Sequence, residues 1–141
     1  MKKFSTRSQY GIRLMVPLAR HYGGGPIPLS ELARDAGLPL PYLEQIAAQL
    51  RRAALLRSRP GVRGGYTLGR SPDSITIADI VRCLEGSLAP VRCLAAGSGA
   101  GRCGHAATPC AAHAFWERLQ ESILATLEGT SVADLVGEAS R

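Results

Sequence analysis

The sequence has few aromatic residues and no long apolar run. Aromatic side chains make up 5% of the 141 residues, so leucine, isoleucine, valine and alanine must supply most of the core, as in helix-rich folds. No stretch approaches the roughly 20 apolar residues of a membrane-spanning helix. Arg7 and Arg13 interrupt the apolar part of the first segment, which argues against a signal peptide. We therefore expect a cytoplasmic protein of one domain, with or without an appended arm, and no membrane association.

Acidic residues are scarce in the first half of the chain. Residues 1–70 contain 12 lysines and arginines against three acidic residues, a net charge of +9, whereas residues 71–141 contain five against eight, a net charge of −3. A basic half of this kind is the expected electrostatic footprint of a nucleic-acid-binding protein. An anionic membrane surface is the weaker alternative, because no basic amphipathic helix with a large apolar face is present.

The sequence also lacks a closely spaced cysteine pair and a recognisable catalytic set. Four cysteines in a reducing compartment argue against a disulfide framework. Mononuclear zinc sites usually include a Cys-x2–4-Cys pair, so the wider spacing here suits a larger cofactor. There is no Ser/His/Asp set, carboxylate pair or phosphate-binding loop. A redox enzyme that uses Cys110 as nucleophile would lack a resolving cysteine, and we expect no enzymatic activity.

Residues 29–53 are typical of a helix-turn-helix. A short helix at residues 29–37, with Ser30 as its predicted cap, leads through Gly37 into a second helix at residues 39–53. In that second helix, apolar residues at helical spacing are predicted to face the protein core. A further helix is predicted at residues 5–22, with a kink or local break at Pro17. The opposite face carries polar residues first and arginines later, which suits base edges and then phosphates. Its predicted DNA-binding residues are Pro41, Tyr42, Glu44, Gln45, Arg51 and Arg52.

A glycine- and proline-rich hairpin follows the predicted recognition helix. Leu55, Leu56 and then residues 66–68 have the character of two short strands, and a hairpin in this place is the wing of a winged helix. The hairpin carries Arg57, Arg59 and Arg63. All three are predicted to reach phosphates or the minor groove.

The second half is predicted to contain two more helices separated by a cysteine-bearing loop. One helix spans residues 74–85 with Thr76 as a plausible cap. The other opens at Thr108, places Cys110 in its first turn and continues to about Glu128. Its apolar stripe favours packing against a second copy. We expect a winged-helix domain at residues 1–85, an effector loop at 86–108, and a dimerisation helix and tail at 109–141. The fold class is mostly α with a small β-hairpin wing.

Three thiols in this loop form the candidate metal site. Cys93, Cys103 and Cys110 are soft donors that suit zinc, copper(I) or an iron–sulfur cluster. His113 is the first candidate for a fourth ligand. His105, Cys83, Glu85 and a residue of a partner subunit are the alternatives.

The sequence resembles the family of winged-helix iron–sulfur regulators that includes IscR, NsrR and RirA. The resemblance covers residues 2 to about 135, and the matching stretches are STRSQYGIRLM, LSELARDAGLPLPYLEQIAAQLRRAALLRSRPGVRGGYTLGR, SITIADIVRCLEG, the CxxHAFW pattern at 110–116 and SVADL. The resemblance implies a homodimeric transcription factor that binds pseudo-palindromic double-stranded promoter DNA through Pro41, Tyr42, Glu44 and Gln45. The wing position that carries an arginine in some relatives is Pro60, with Arg59 and Arg63 beside it.

The resemblance also implies a 2Fe–2S or 4Fe–4S cluster on Cys93, Cys103 and Cys110, with His113 as in the IscR branch. The cysteine spacing departs from the family pattern, in which about five residues separate successive cysteines. Some members carry no cluster and respond to a metabolite or a partner protein. We therefore expect promoter binding under the control of a cluster that senses redox state, iron status or nitric oxide. The alternative is a cluster-free regulator that responds to a metabolite, thiol oxidation, zinc or a partner enzyme.

Overall fold

The computed structural model describes residues 4–94 and 111–139, and in these ranges the chain forms six α-helices and one antiparallel hairpin. The elements in chain order are α1 (Thr6–Arg20), α2 (Leu29–Ala36), α3 (Leu40–Arg52), β1 (Leu56–Arg59), β2 (Gly65–Leu68), α4 (Ile77–Glu85), α5 (His113–Glu128) and α6 (Val132–Ala139). The predicted fold class, mostly α with a hairpin wing, is confirmed. Among the described residues, none of the helices has the length and apolar character needed to cross a bilayer.

The core lies between α1, α3 and α4. Its central side chains are almost completely buried, and the largest include Leu14, Met15, Ile46, Leu50, Ile80 and Val81. Gly11 lets α1 approach α4 closely, since a Cβ at this position would collide with the Leu84 side chain. α1 continues through Pro17, so the local break is absent, and the alternative of a kink stays a prediction. Burial of the surrounding leucines offsets the cost of about 3 kcal/mol that an interior proline carries.

The helix-turn-helix consists of α2, a glycine turn and α3. Gly37 ends α2 with a φ of +66°, a left-handed conformation that glycine adopts without strain. The prediction of Ser30 as the cap is wrong, because α2 begins at Leu29, as predicted, and Pro28 occupies the N-cap position. α3 begins at Leu40, and Pro41 lies in its first turn, where the missing N–H costs nothing.

The base of the wing is joined to the segment between α1 and α2. β1 and β2 pair from Leu56↔Leu68 to Arg59↔Gly65. On the other edge of β2, Ile27 and Tyr66 exchange two backbone hydrogen bonds of 3.0 and 2.8 Å. Gly65 has a φ of +154°, and a Cβ there would collide with the Ile27 carbonyl group. The absence of a side chain at Gly65 therefore permits this third strand-like contact.

The starts of α4 and α5 differ from the predicted ones at residues 74 and 108, whereas their ends at Glu85 and Glu128 agree. α4 begins at Ile77, where Thr76 and Asp79 form the reciprocal hydrogen bonds of a capping box, so Thr76 is confirmed as the cap. α5 begins at His113 with Ala112 as its N-cap. This start differs from the predicted one at Thr108, and Thr108 and Cys110 lie outside the described residues.

A sixth helix follows α5 and packs against α1. Its first residue, Val132, is completely buried. The sequence did contain a signal for this helix, because Ser131 and Asp134 exchange the hydrogen bonds of a second capping box, at 2.9 and 3.1 Å. The sequence prediction assigns these residues to a tail, and the structure shows a helix instead.

Candidate nucleic-acid interface and metal ligands

The solvent-facing side of α3 presents the predicted base-reading residues. Pro41, Glu44 and Gln45 are exposed in the first two turns. Tyr42 differs from them, since it is half-buried and packs edge-on against Tyr10 of α1, with ring centroids 5.5 Å apart. Its ring therefore holds α3 against α1. The exposed polar surface at the start of the helix consists mainly of Glu44 and Gln45.

The arginines divide into two groups by their contacts. Arg7 donates to the Gln49 side chain at 2.8 Å, and Arg13 donates to the Ala36 carbonyl at 2.7 Å, so both position the helix-turn-helix from α1. Sequence reasoning missed these two roles because each partner lies more than 20 residues away and no local pattern marks it.

A second group of arginines is exposed and forms no hydrogen bond or ion pair within residues 4–94 and 111–139; on α3 and the wing it comprises Arg52, Arg57, Arg59 and Arg63. Arg51, also predicted to contact DNA, makes a long 3.5 Å contact with Ser58 of the wing. The guanidinium groups of the second group can pair with an external anion without losing an internal partner.

A cavity of about 320 Å³ separates the wing from the segment between α1 and α2. It is lined by Gly25, Pro26, Arg57, Ser58, Arg59 and Thr67. Arg57 and Thr67 are paired across the hairpin, so their side chains share one face of it. Two guanidinium groups and hydroxyls without a carboxylate among the lining residues suit a phosphate group.

Two of the four predicted metal ligands lie within the described residues and two lie outside them. Cys103 and Cys110 lie outside them, as does His105. Cys93 is half-buried in the turn Arg92–Leu94 and forms no disulfide. His113 is the first residue of α5. Within the part of the chain that the structure describes, no three His, Cys, Asp or Glu side chains gather into a metal site.

Two alternative ligands are held by contacts within the fold. The Cys83 thiol donates to the Gln49 backbone carbonyl at 3.4 Å, and desolvation by burial raises its pKa above the ordinary value, partly offset by the positive charge of Arg52. The Glu85 carboxylate accepts hydrogen bonds from the Ser5 N–H, the Ser5 hydroxyl and the buried Ser8 hydroxyl, at 2.5–2.7 Å. Ligation by either residue would require these contacts to be given up.

The long helix α5 leaves part of its apolar surface uncovered. None of its residues is fully buried, and Phe115 is 49% exposed. Leu124 and Leu127 pack on the core, and Glu128 pairs with Arg82 of α4. A neighbouring face of the helix carries the half-buried Trp116, Leu119 and Ile123 at the i, i+3, i+7 spacing of a helical stripe.

Comparison with known proteins agrees with this architecture. The family model described as Rrf2, iron-dependent transcriptional regulator, matches residues 4–138. The chain is 38% identical to the HTH-type transcriptional regulator CymR of Bacillus subtilis, over 94% of this chain and 88% of that protein. It is 32% identical to the HTH-type transcriptional regulator IscR of Aliivibrio salmonicida, over 95% of this chain and 77% of that protein.

Solved structures give the same result. The structure of CymR, the global cysteine regulator of B. subtilis, superposes with a TM-score of 0.83 at 36% identity and covers 98% of each chain. That of T. potens IscR gives a TM-score of 0.78 at 37% identity, over 98% of this chain and 88% of that one.

Proposed function

The chain belongs to the Rrf2 family of transcriptional regulators, and from this premise we propose that it is a homodimer whose promoter binding is controlled by an iron–sulfur cluster. The relatives are named as transcriptional regulators and not as enzymes. The proposal places the protein in the cytoplasm, with access to promoter DNA.

One observation carries the DNA-binding part of the proposal. Glu44 and Gln45 on α3 are exposed, and so are Arg52, Arg57, Arg59 and Arg63, which have no hydrogen bond or ion pair among the described residues. Polar side chains on a recognition helix read base edges in the major groove, and guanidinium groups beside them neutralise phosphates or enter the minor groove. We assign Pro41, Tyr42, Glu44, Gln45, Arg51, Arg52, Arg59 and Arg63 to the interface. Arg51 and Tyr42 also position the helix through their own contacts.

The dimer follows from α5. Its Phe115, Trp116, Leu119 and Ile123 would be covered by the same face of a second copy, as an isologous interface requires. Two recognition helices related by a two-fold axis match a pseudo-palindromic site. Sedimentation equilibrium tests this part, and a monomer at micromolar concentration would contradict it.

The donor set fits an iron–sulfur cluster. Three thiols and an imidazole are ligands that such clusters accept, and the described members, Cys93 without a disulfide and His113 at the start of α5, are compatible with that role. We propose that Cys93, Cys103, Cys110 and His113 hold the cluster. A bound cluster supplies redox and nitric oxide chemistry; these four side chains bind it and tie the residues before α5 to α5 itself.

Contacts between helices offer a path from this segment to the DNA. Glu128 of α5 pairs with Arg82 of α4, and the next residue of α4, Cys83, donates to the backbone of α3 at Gln49. Regulation requires that the loaded and empty proteins differ in DNA affinity. We propose that this series of contacts transmits the difference.

Iron and acid-labile sulfide are to be measured on anaerobically prepared dimer, with Cys103→Ala as the comparison. Wild type should contain both and bind a duplex selected from a random pool with an affinity that changes on cluster loss. Cys103→Ala should contain little of either. A colourless wild-type protein after anaerobic reconstitution would contradict the proposal that the protein binds a cluster. The duplex assay tests the DNA-binding part separately.

The similarity to CymR, described as a global cysteine regulator in B. subtilis, supports a second candidate. In this version the same thiols respond without a cluster, to thiol oxidation, zinc, a metabolite or a partner enzyme. Zinc without sulfide, or a duplex affinity that changes with thiol oxidation in iron-free protein, would favour it.

A further inference from the structure

His113 and Glu117 form a hydrogen-bonded pair on the first turn of α5. The His113 Nε2 atom lies 2.9 Å from Glu117 Oε1, and the two residues are one helical turn apart. The His113 side chain is 23% exposed and that of Glu117 53%. The imidazole is therefore largely sheltered, while its partner reaches solvent.

The chemistry of the pair fixes which ring nitrogen carries hydrogen. An ionised carboxylate can only accept a hydrogen bond, so Nε2 must be the donor. In the neutral imidazole the second nitrogen, Nδ1, then has no hydrogen and keeps its lone pair. A histidine ligand generally donates its other N–H to a carboxylate or carbonyl, which fixes its tautomer and orientation and strengthens it as a donor.

We propose that Glu117 is a positioning residue that engages Nε2 of His113, so that Nδ1 and not Nε2 would be the atom available to ligate an iron–sulfur cluster. This inference rests on the proposed function, because it needs His113 to be the fourth ligand. It adds a residue outside the ligand set and selects one of two ring atoms.

Glu121 provides a matched control for Glu117. It is an exposed glutamate on the next turn of the same helix and has no hydrogen bond or ion pair in the described part of the chain. Glu117→Ala and Glu121→Ala therefore remove the same charge from neighbouring turns, and only the first removes the partner of His113. Glu117→Gln keeps an oxygen that can accept from Nε2 and is the conservative variant.

The first measurement uses the cluster-free protein. In ¹⁵N NMR spectra at a pH where the imidazole is neutral, His113 should be almost entirely in the tautomer with hydrogen on Nε2, and this N–H should exchange slowly with water. Glu117→Ala should give a tautomer mixture and fast exchange, whereas Glu121→Ala should match wild type. Spectra of His113 that do not respond to Glu117→Ala would overturn the positioning role without bearing on cluster binding.

The second measurement uses the loaded protein. Pulsed EPR of the reduced cluster, in protein made with histidine labelled with ¹⁵N at Nδ1 alone, should show strong coupling to the label. Cluster loss to a chelator should be about 10- to 100-fold faster in Glu117→Ala than in wild type, near wild type in Glu117→Gln and unchanged in Glu121→Ala. Coupling through Nε2, or a cluster spectrum that persists in His113→Ala, would overturn the inference and leave the three cysteines as ligands. A wild type without iron and sulfide would remove both proposals, and the metal analysis identifies that case.

Discussion

Helices α3 and α5 are of similar length but differ in how much of their apolar surface is buried within one copy of the chain. α3 buries Leu43, Ile46, Ala47 and Leu50 and, apart from Pro41, exposes only polar residues, whereas no residue of α5 is fully buried and Phe115 is half exposed. The apolar face of α3 is therefore satisfied within one copy of the chain. That of α5 is only partly satisfied, which is the arrangement expected of a helix that packs against a second copy.

The largest expected effect is a loss of fold stability on removing a core side chain of α3. Leu50→Ala should lower the free energy of unfolding by about 2–5 kcal/mol, because Leu50 is completely buried and the cavity left behind does not fully collapse. Urea denaturation measures it. Val62→Ala at the fully exposed tip of the wing is the control and should stay within about 0.5 kcal/mol of wild type. A small loss at Leu50 would mean that α3 is not anchored as described.

On α5, a charge in the apolar stripe should break the dimer rather than the fold. Ile123→Glu should weaken self-association by about 2 kcal/mol or more, as for a central interface residue, and reduce promoter binding with it. Sedimentation equilibrium and circular dichroism follow dimer and helix content separately. Ala125→Glu places the same charge on an exposed position that lies away from this stripe, about 160° around the helix from Ile123, and should leave the dimer intact. Equal effects of the two substitutions would contradict the assigned face.

Glutamines on the two helices should differ in their effect on sequence discrimination. Gln45→Ala on α3 should cost about 1–3 kcal/mol of preference for the selected duplex over a scrambled one, the value of a good side-chain contact to a base. Gln120→Ala on α5 should change nothing. Competition measured by fluorescence anisotropy gives both values. Loss of affinity without loss of discrimination in Gln45→Ala would assign that side chain to the backbone of the duplex instead.

The smallest expected effect is a change in the salt dependence of DNA binding, which should differ between arginines on α3 and on α5. Arg52 and Arg118 are both exposed and form no hydrogen bond or ion pair among the described residues. Arg52→Ala should reduce the slope of log K against log salt concentration by about 0.9, or about 1.8 for a dimer that loses one contact per protomer. Arg118→Ala should leave the slope unchanged. If both variants lower it equally, α5 also lies against DNA.

Local patterns were sufficient to predict the helix-turn-helix and the wing. The apolar spacing of α3, Gly37 and the glycines of the hairpin act over a few residues, and the structure follows them. The Thr76 cap was predicted correctly for the same reason. The start of α5 and the helix α6 were not predicted. α6 is eight residues long and depends on packing against α1, a contact distant in sequence.

The candidate site was predictable only in part. Exposure of Glu44 and Gln45 follows from helical periodicity, but the packing of Tyr42 on Tyr10 joins two helices and leaves no mark in the local sequence. The same holds for Arg7 and Arg13. The roles of Cys103 and Cys110 stay predictions, because both lie outside the described residues.

The pair of backbone hydrogen bonds between Ile27 and Tyr66 has a consequence for the kind of promoter that can be bound. Since the hairpin is fastened at its base to the segment that leads into α2, the base of the wing is restrained relative to the helix-turn-helix within one copy of the chain. A half-site bound by the proposed interface would then have to present its major-groove edge and the adjoining minor groove at one separation. In the proposed dimer, a change at the dimer interface would adjust the distance between the two half-sites.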